Sequence, residues 1–131
     1  MNIKEFQETN KKRSLESFPG CKKWTLGDWG NALAGETGEL CNFIKKIRRI
    51  EVEASTLNSN MSMGELIKAV GEEMGDIMSY LANIASELNL DLEKETVKKF
   101  NKVSEILDSE YRLETTHDKM FNACTWKHED V

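Results

Sequence analysis

Proline occurs once in this chain, at Pro19, and between there and Val131 no residue forbids a helix by its covalent structure. Pro19-Gly20 is itself the strongest turn signal and closes a first amphipathic segment of about 2–18. Beyond it, apolar residues recur at steps of three and four. They are Trp29, Leu33, Leu40, Phe43, Ile44 and Ile47 in a segment of about 26–51, and Leu66, Val70, Ile77, Leu81, Ile84 and Leu88 in one of about 63–88. A fourth set, Leu92, Val97, Phe100, Val103 and Leu107, runs to about 108. Such spacing draws one stripe along a helix. Ser62 with Glu65 three residues on is a capping box that opens the third helix, Asn89 closes it, and Asp91 is placed to cap the fourth. Residues 53–61 carry Ser and Asn without period and are expected to form a loop, while 114–131 show no sustained pattern and are expected to be a tail. The expectation is an all-α antiparallel bundle of about four helices, three long and a shorter leading one. It would form a single domain over 1–131 with its core at about 24–108.

Composition narrows the class. With 39% hydrophobic and 31% charged residues the chain is too apolar for a disordered segment, and no apolar run approaches the ~20 residues of a membrane span. The first eighteen residues are charged throughout, which argues against a secretory signal. Cys21, Cys41 and Cys124 are widely spaced and odd in number, as reduced thiols of a cytoplasmic protein would be. The net charge of -5 repels a phosphate backbone, so neither nucleic acid nor membrane is expected as a partner.

The informative residues break the stripes. Glu36 takes the slot between Leu33 and Leu40, and Glu73 the slot between Val70 and Ile77. Each has an acid three residues on, Glu39 and Asp76, which shares its helix face. A single helical glutamate is ordinarily a solvated one; two such pairs inside apolar stripes are not. Antiparallel packing would bring four carboxylates together, and a divalent cation relieves their repulsion. Oxygen-only ligation favours Mg²⁺, or Mn²⁺, over zinc. Gly35 and Gly38 flank one pair and Gly71 and Gly75 the other, although glycine inside a helix costs about 1 kcal/mol against alanine, so a close neighbour of the backbone is expected there. Carboxylate-bridged di-iron sites use Glu-x-x-His pairs, whereas the histidines here, His117 and His128, both lie in the tail. With Cys124 those histidines make only a weak zinc pattern that lacks a fourth ligand.

The stretches ALAGETGELCNFIKK (32–46) and EEMGDIMSYLANIA (72–85) resemble the MazG-like all-α nucleoside triphosphate pyrophosphohydrolases, whose signature is an E-x-x-E and an E-x-x-D pair on successive helices. A weaker similarity runs from about Trp24 to Ser104, through WTLGDW and KFNKVSE. The resemblance implies a Mg²⁺-dependent enzyme of nucleotide-pool control, cleaving a nucleoside triphosphate between the α and β phosphates, in a homodimer or homotetramer. It implies Glu36, Glu73 and Asp76 as metal ligands and Glu39 as a ligand or water-activating base, with catalysis falling to Glu39 and Glu36. Relatives often carry Arg or Lys shortly after the KFN segment, where this chain has Ile106.

Further residues are weighed for the substrate. Lys46 lies seven residues beyond Glu39 on the same face and suits the outer phosphates, or else complements its helix C-terminus. Lys98 and Asn101 resemble a phosphate-contacting segment of the family, against the plainer reading of a solvated face. Tyr80 stands one turn beyond Asp76 and within reach of a sugar, Trp24 is a candidate stacking wall, and Trp29 continues the core stripe. The competing readings are a catalytically silent helical interaction protein and an alarmone-degrading enzyme.

Overall fold

The computed structural model describes residues 1–53 and 61–125, so the connection expected at 53–61 falls largely outside the described residues, as does everything after 125. The described residues are helical with no strand. The helices are α1 (Ile3–Ser17), a short 3-10 turn (Pro19–Lys23), α2 (Leu26–Glu53), α3 (Met63–Glu87), α4 (Leu92–Ile106) and α5 (Thr116–Thr125).

Local chemistry sets the boundaries. Ser62 and Glu65 form the expected capping box: the Glu65 amide donates to Ser62 Oγ at 3.2 Å and the Ser62 amide to Glu65 Oε2 at 2.7 Å. Asp91 caps α4 by accepting from the Lys94 amide at 3.0 Å. Asn89, at φ 53°, reverses the chain after α3, and the Leu90 amide reaches back to the Ala85 carbonyl at 2.8 Å. Asp108, at φ 51°, repeats this after α4, with the Ser109 amide on the Ser104 carbonyl at 2.8 Å. Both endings are Schellman motifs, built on residues that tolerate the left-handed region when glycine is absent.

Two expectations need correction. There are two long helices, not three, because α4 is no longer than α1. The supposed tail contains α5. Its start is fixed partly by Thr115, whose hydroxyl donates to Asp118, and partly from a distance by Glu93, whose carboxylate accepts from the Thr116 amide at 3.1 Å and hydroxyl at 2.7 Å. A cap supplied from twenty-three residues away leaves no trace in local periodicity.

The most extensive packing joins α2 and α3. Trp29 meets Tyr80, and seven residues further along α2 Glu36 meets Glu73, seven residues back along α3, so the helices run antiparallel. Helix α1 lies on α3 through a polar seam. Asn10 Nδ2 donates to the Ser79 carbonyl at 2.9 Å, and Gln7 Nε2 donates to the Leu90 carbonyl at 2.8 Å. Gln7 Oε1 accepts from the Leu92 amide at 2.9 Å, satisfying one of the free donors at the start of α4.

Deeply buried apolar side chains are few among the described residues: Trp29, Leu66, Ala82 and Ala85. Ile44 is exposed, and the stripe expected on α4 is largely bare, with Phe100, Val103 and Leu107 all open to solvent. The chain presents 10152 Å² of surface, where a compact monomer of this size would present roughly 7000 Å².

Leu66 is fully enclosed and Leu107 is 70% exposed. Leu66→Ala is expected to lower unfolding stability by about 2–5 kcal/mol in urea titration, and Leu107→Ala in dilute solution by less than about 0.5 kcal/mol.

Candidate functional site

The α2–α3 hairpin positions the acids through its apolar anchors. Glu36 follows Trp29 by seven residues and Glu73 follows Leu66 by seven, so each acid stands two turns beyond a buried residue on the same face. Burying the anchors carries the carboxylates into the seam. Glu36 and Glu73 are half-buried and Asp76 is exposed at the rim.

One carboxylate oxygen from each of Glu36, Glu73 and Asp76 lies within 4.8 Å of the other two. Glu73 Oε2 is closed off from solvent with no donor beside it among the described residues. An acceptor in that state is costly unless a proton or cation is supplied. The Glu73 carboxyl is accordingly held above its ordinary value of 4.5, first by burial, then by its close approach to the Glu36 carboxyl and by the charges of Glu39, Glu36 and Asp76. Glu39 is exposed and stands outside the tight set, though its charge still reaches Glu73. Of the four expected acids, three converge and the fourth flanks them.

The donor set suits a hard divalent cation. Magnesium–oxygen bonds of about 2.1 Å put neighbouring octahedral ligand oxygens about 3 Å apart and opposite ones about 4.2 Å apart, so oxygens within 4.8 Å of one another would draw in by up to about 2 Å to share one ion. The orphaned Glu73 oxygen is the observation that favours such a fit.

Tyr80 joins this site. Burial, followed by the charges of Glu36, Asp76 and Cys21, raises its phenol above the usual value of 10.0. Trp24 packs edge-on against Trp29 with ring centroids 4.6 Å apart. The Lys46 ammonium sits over the Phe43 ring, 5.1 Å from its centroid, rather than on an acid. Helix α4 packs chiefly on α1, which keeps its residues away from the cluster. Lys98 lies 4.0 Å from Glu95 on the surface, and the Asn101 amide is occupied on both edges, donating to the Leu113 carbonyl at 2.9 Å and accepting from the Leu113 amide at 2.8 Å. Within one chain, Lys98 and Asn101 are therefore not brought to the acids, and Ile106 is exposed on the same helix. His117 is exposed, while the Cys124 side chain and His128 fall outside the described residues.

The glycines do not meet the close neighbour expected of them. A methyl group built at Gly35, Gly38, Gly71 or Gly75 would have nothing within 4 Å among the described residues, so bare backbone faces open space beside the acids.

Sequence reasoning missed the polar seam that adjoins the acids. Asn10 and Asn83 are both more than nine-tenths buried, joined by an Asn10 Nδ2 to Asn83 Oδ1 bond of 2.9 Å, and Arg13 Nη2 donates to Asn10 Oδ1 at 2.9 Å. The sequence carries only a weak signal of it: Asn10 follows Phe6 by one helical step of four, but the next residue on that face is Ser14, so no apolar stripe encloses Asn10 as Leu33 and Leu40 enclose Glu36.

No protein-family model, no curated protein and no solved structure matches this chain.

Two outcomes follow from this geometry. Because the folded-state pKa of Glu73 lies above its unfolded value, the native state binds more protons, and the metal-free protein loses stability as pH rises from 4.5 through the raised value. Melting curves in chelator should therefore show Glu73→Gln gaining on the parent chain, little at about pH 4 and increasingly towards about pH 7, where the carboxylate is ionised. Gly38→Ala, with open space around the new methyl, is expected to stabilise the fold by about 0.5–1 kcal/mol in the same measurement.

Proposed function

We propose that this chain is a nucleoside triphosphate pyrophosphohydrolase of the MazG-like type, dependent on Mg²⁺, with Mn²⁺ a substitute, which releases the nucleoside monophosphate and pyrophosphate and acts in nucleotide-pool control. The observation that carries the reading is the sealed, partnerless oxygen of Glu73 among further acids. A structural acid would have been given a donor; one left waiting, with its pKa raised, is the usual condition of a functional group.

When bound, the cation supplies charge neutralisation of the phosphate oxygens and a lowered pKa for water. The protein's share is positioning, which is most of what phosphoryl transfer requires of it. Glu36, Glu73 and Asp76 would hold the cation, two of them fixed by hairpin packing and Asp76 at the open rim where a triphosphate can enter. Glu39, outside the tight set, is free to take the proton from the attacking water. Tyr80, one turn beyond Asp76, would meet the nucleoside. Lys46 is two turns along α2 from Glu39 and reaches the outer phosphates only by leaving Phe43.

The large surface and the bare faces of α4 support a homodimer or homotetramer, since exposed apolar stripes of this kind are normally covered by a partner. A second copy would also be needed to bring Lys98 to a site, since it is remote from the acids of its own chain, and Asn101 would have to give up Leu113 to serve one.

The test is pyrophosphate release from a panel of nucleoside triphosphates with Mg²⁺. Glu73→Gln and Asp76→Asn are expected to reduce turnover by at least about a hundredfold with the helical circular dichroism unchanged. In oxygen-18 water the label should appear in the monophosphate or pyrophosphate, with orthophosphate absent as a primary product. Turnover at the parental rate in Glu73→Gln would remove the assignment. Sedimentation velocity should show a dimer or larger species.

A further inference from the structure

Cys41 lies exposed on α2, whereas Cys21 is half-buried in the 3-10 turn, where its amide donates to the Phe18 carbonyl at 2.9 Å and its carbonyl accepts from the Trp24 amide at 3.1 Å. The backbone of Cys21 is thereby fixed. Its side chain lines a cavity of about 90 Å³ between α1, the turn, the start of α2 and α3, with Trp24 and Trp29 as aromatic walls. Lys11, Lys22 and Glu87 line the same cavity, exposed and without an ion pair among the described residues.

A buried donor beside the thiol is unspent. The Ser79 carbonyl can only accept, so the Asn10 atom 2.9 Å from it must be the amide nitrogen. Arg13 can only donate, so the Asn10 atom 2.9 Å from its Nη2 must be the oxygen, and the two assignments agree. Asn10 Nδ2 then donates to Asn83 Oδ1, which also accepts from Ser14 Oγ at 3.2 Å. What Asn83 has left for the cavity is its NH₂ group. That nitrogen has no partner among the described residues, although Asn83 is only 7% exposed and lines the cavity with Cys21. Unlike the Trp29 indole nitrogen it is not sealed off, so a group in the cavity can reach it. Two ammonium ions, one carboxylate and one buried amide donor are thus gathered around a single thiol, in the partly exposed, electropositive setting typical of reactive cysteines. Such a set complements a small group that carries one carboxylate and one ammonium and is joined through sulfur.

We propose that Cys21 is a site of reversible modification by a small amino-acid disulfide such as cystine, whose half-cystine is retained in the cavity by the Asn83 amide. The Cys21 thiolate attacks one sulfur of the disulfide, a new S–S bond forms at Cys21 as the original one breaks, and the other half departs as a cysteine thiolate. Cystine is the oxidant: Cys21 is oxidised and the departing cysteine is the reduced product. The carboxylate of the retained half accepts from Asn83 Nδ2 with Lys11 and Lys22 adding charge, and Glu87 meets its ammonium. At well under the roughly 300–1000 Å³ of pockets that enclose drug-sized molecules, the space suits one amino acid and not a tripeptide. Cys21 also lines the neighbouring cavity that reaches Asp76 and Tyr80, so the bonded group stands close to the acids. Nothing in this chemistry depends on the pyrophosphohydrolase reading.

The full chain, reduced and freed of reductant, is treated with excess cystine or with the uncharged disulfide of mercaptoethanol, and the rate at each cysteine is followed by peptide mass spectrometry. Exposure alone favours Cys41. With cystine, Cys21 should instead react at least about tenfold faster than Cys41, and with the uncharged disulfide that preference should vanish. Asn83→Asp keeps the oxygen that Asn10 and Ser14 require but replaces the free donor by negative charge, so it should slow cystine at Cys21 by about tenfold and leave Cys41 unchanged. Lys11→Glu, at an exposed position, should act in the same direction and serves if the aspartate variant does not fold. Dithiothreitol should restore the Cys21 thiol. Cystine reacting faster at Cys41, a Cys21 preference equal for the two disulfides, Cys21 rates unmoved by both substitutions, or a product that dithiothreitol does not reverse overturns the proposal.

Discussion

Mutual repulsion among Glu36, Glu73 and Asp76 is the constraint around which this chain is arranged. Left to electrostatics, three carboxylates within 4.8 Å would separate, and they stay together because the hairpin that carries them is closed by apolar burial at Trp29 and Leu66. The acids and their anchors are spaced by a heptad on both helices, so the hairpin cannot bury one without crowding the other. The packing that stabilises the fold thus holds in place the charge that destabilises it. Such opposition is common where structure has been shaped by a ligand, and the raised pKa of Glu73 is its local expression.

What was legible in the sequence was legible because its cause is local. The cap at Ser62 depends on Glu65, and the reversal after α3 on Asn89, each within a few residues of the boundary it sets. The acidic cluster was legible for a related reason: two helices of known periodicity need only pack antiparallel for Glu36 to find Glu73. The features that escaped are those whose cause is distant. Helix α5 depends on a glutamate on another helix, and the seam between α1 and α3 depends on Asn10 reaching a backbone carbonyl sixty-nine residues away. Asn101 illustrates the converse. Resemblance suggested a phosphate contact, whereas in the single chain both edges of its amide hold Leu113, twelve residues on. The motif alone does not distinguish a residue that is spent on its own chain from one that is free for a ligand.

The glycines beside the acids belong to the same class. Their cost in helix propensity pointed to a crowded backbone, yet none of the described residues crowds them. Four exposed helical glycines at the mouth of an acidic site leave a strip of backbone that an added side chain would cover. Stability is forgone there without any contact among the described residues gained in exchange.

The orientation of Asn10 has a wider consequence. A hydrogen-bond polarity set by the Ser79 carbonyl is recorded in the helix backbone, so it is insensitive to most side-chain drift along α3. It is sensitive instead to register. Sliding α1 by one turn along α3 would bring another residue to the carbonyl and dissolve the relay from Asn10 to Asn83. Insertions or deletions in the short connection after Ser17 would thus break the whole Asn10–Asn83 relay in a single event, while a substitution within it changes one partner at a time. The seam is therefore kept or lost as a unit, with the phase of α1 on α3.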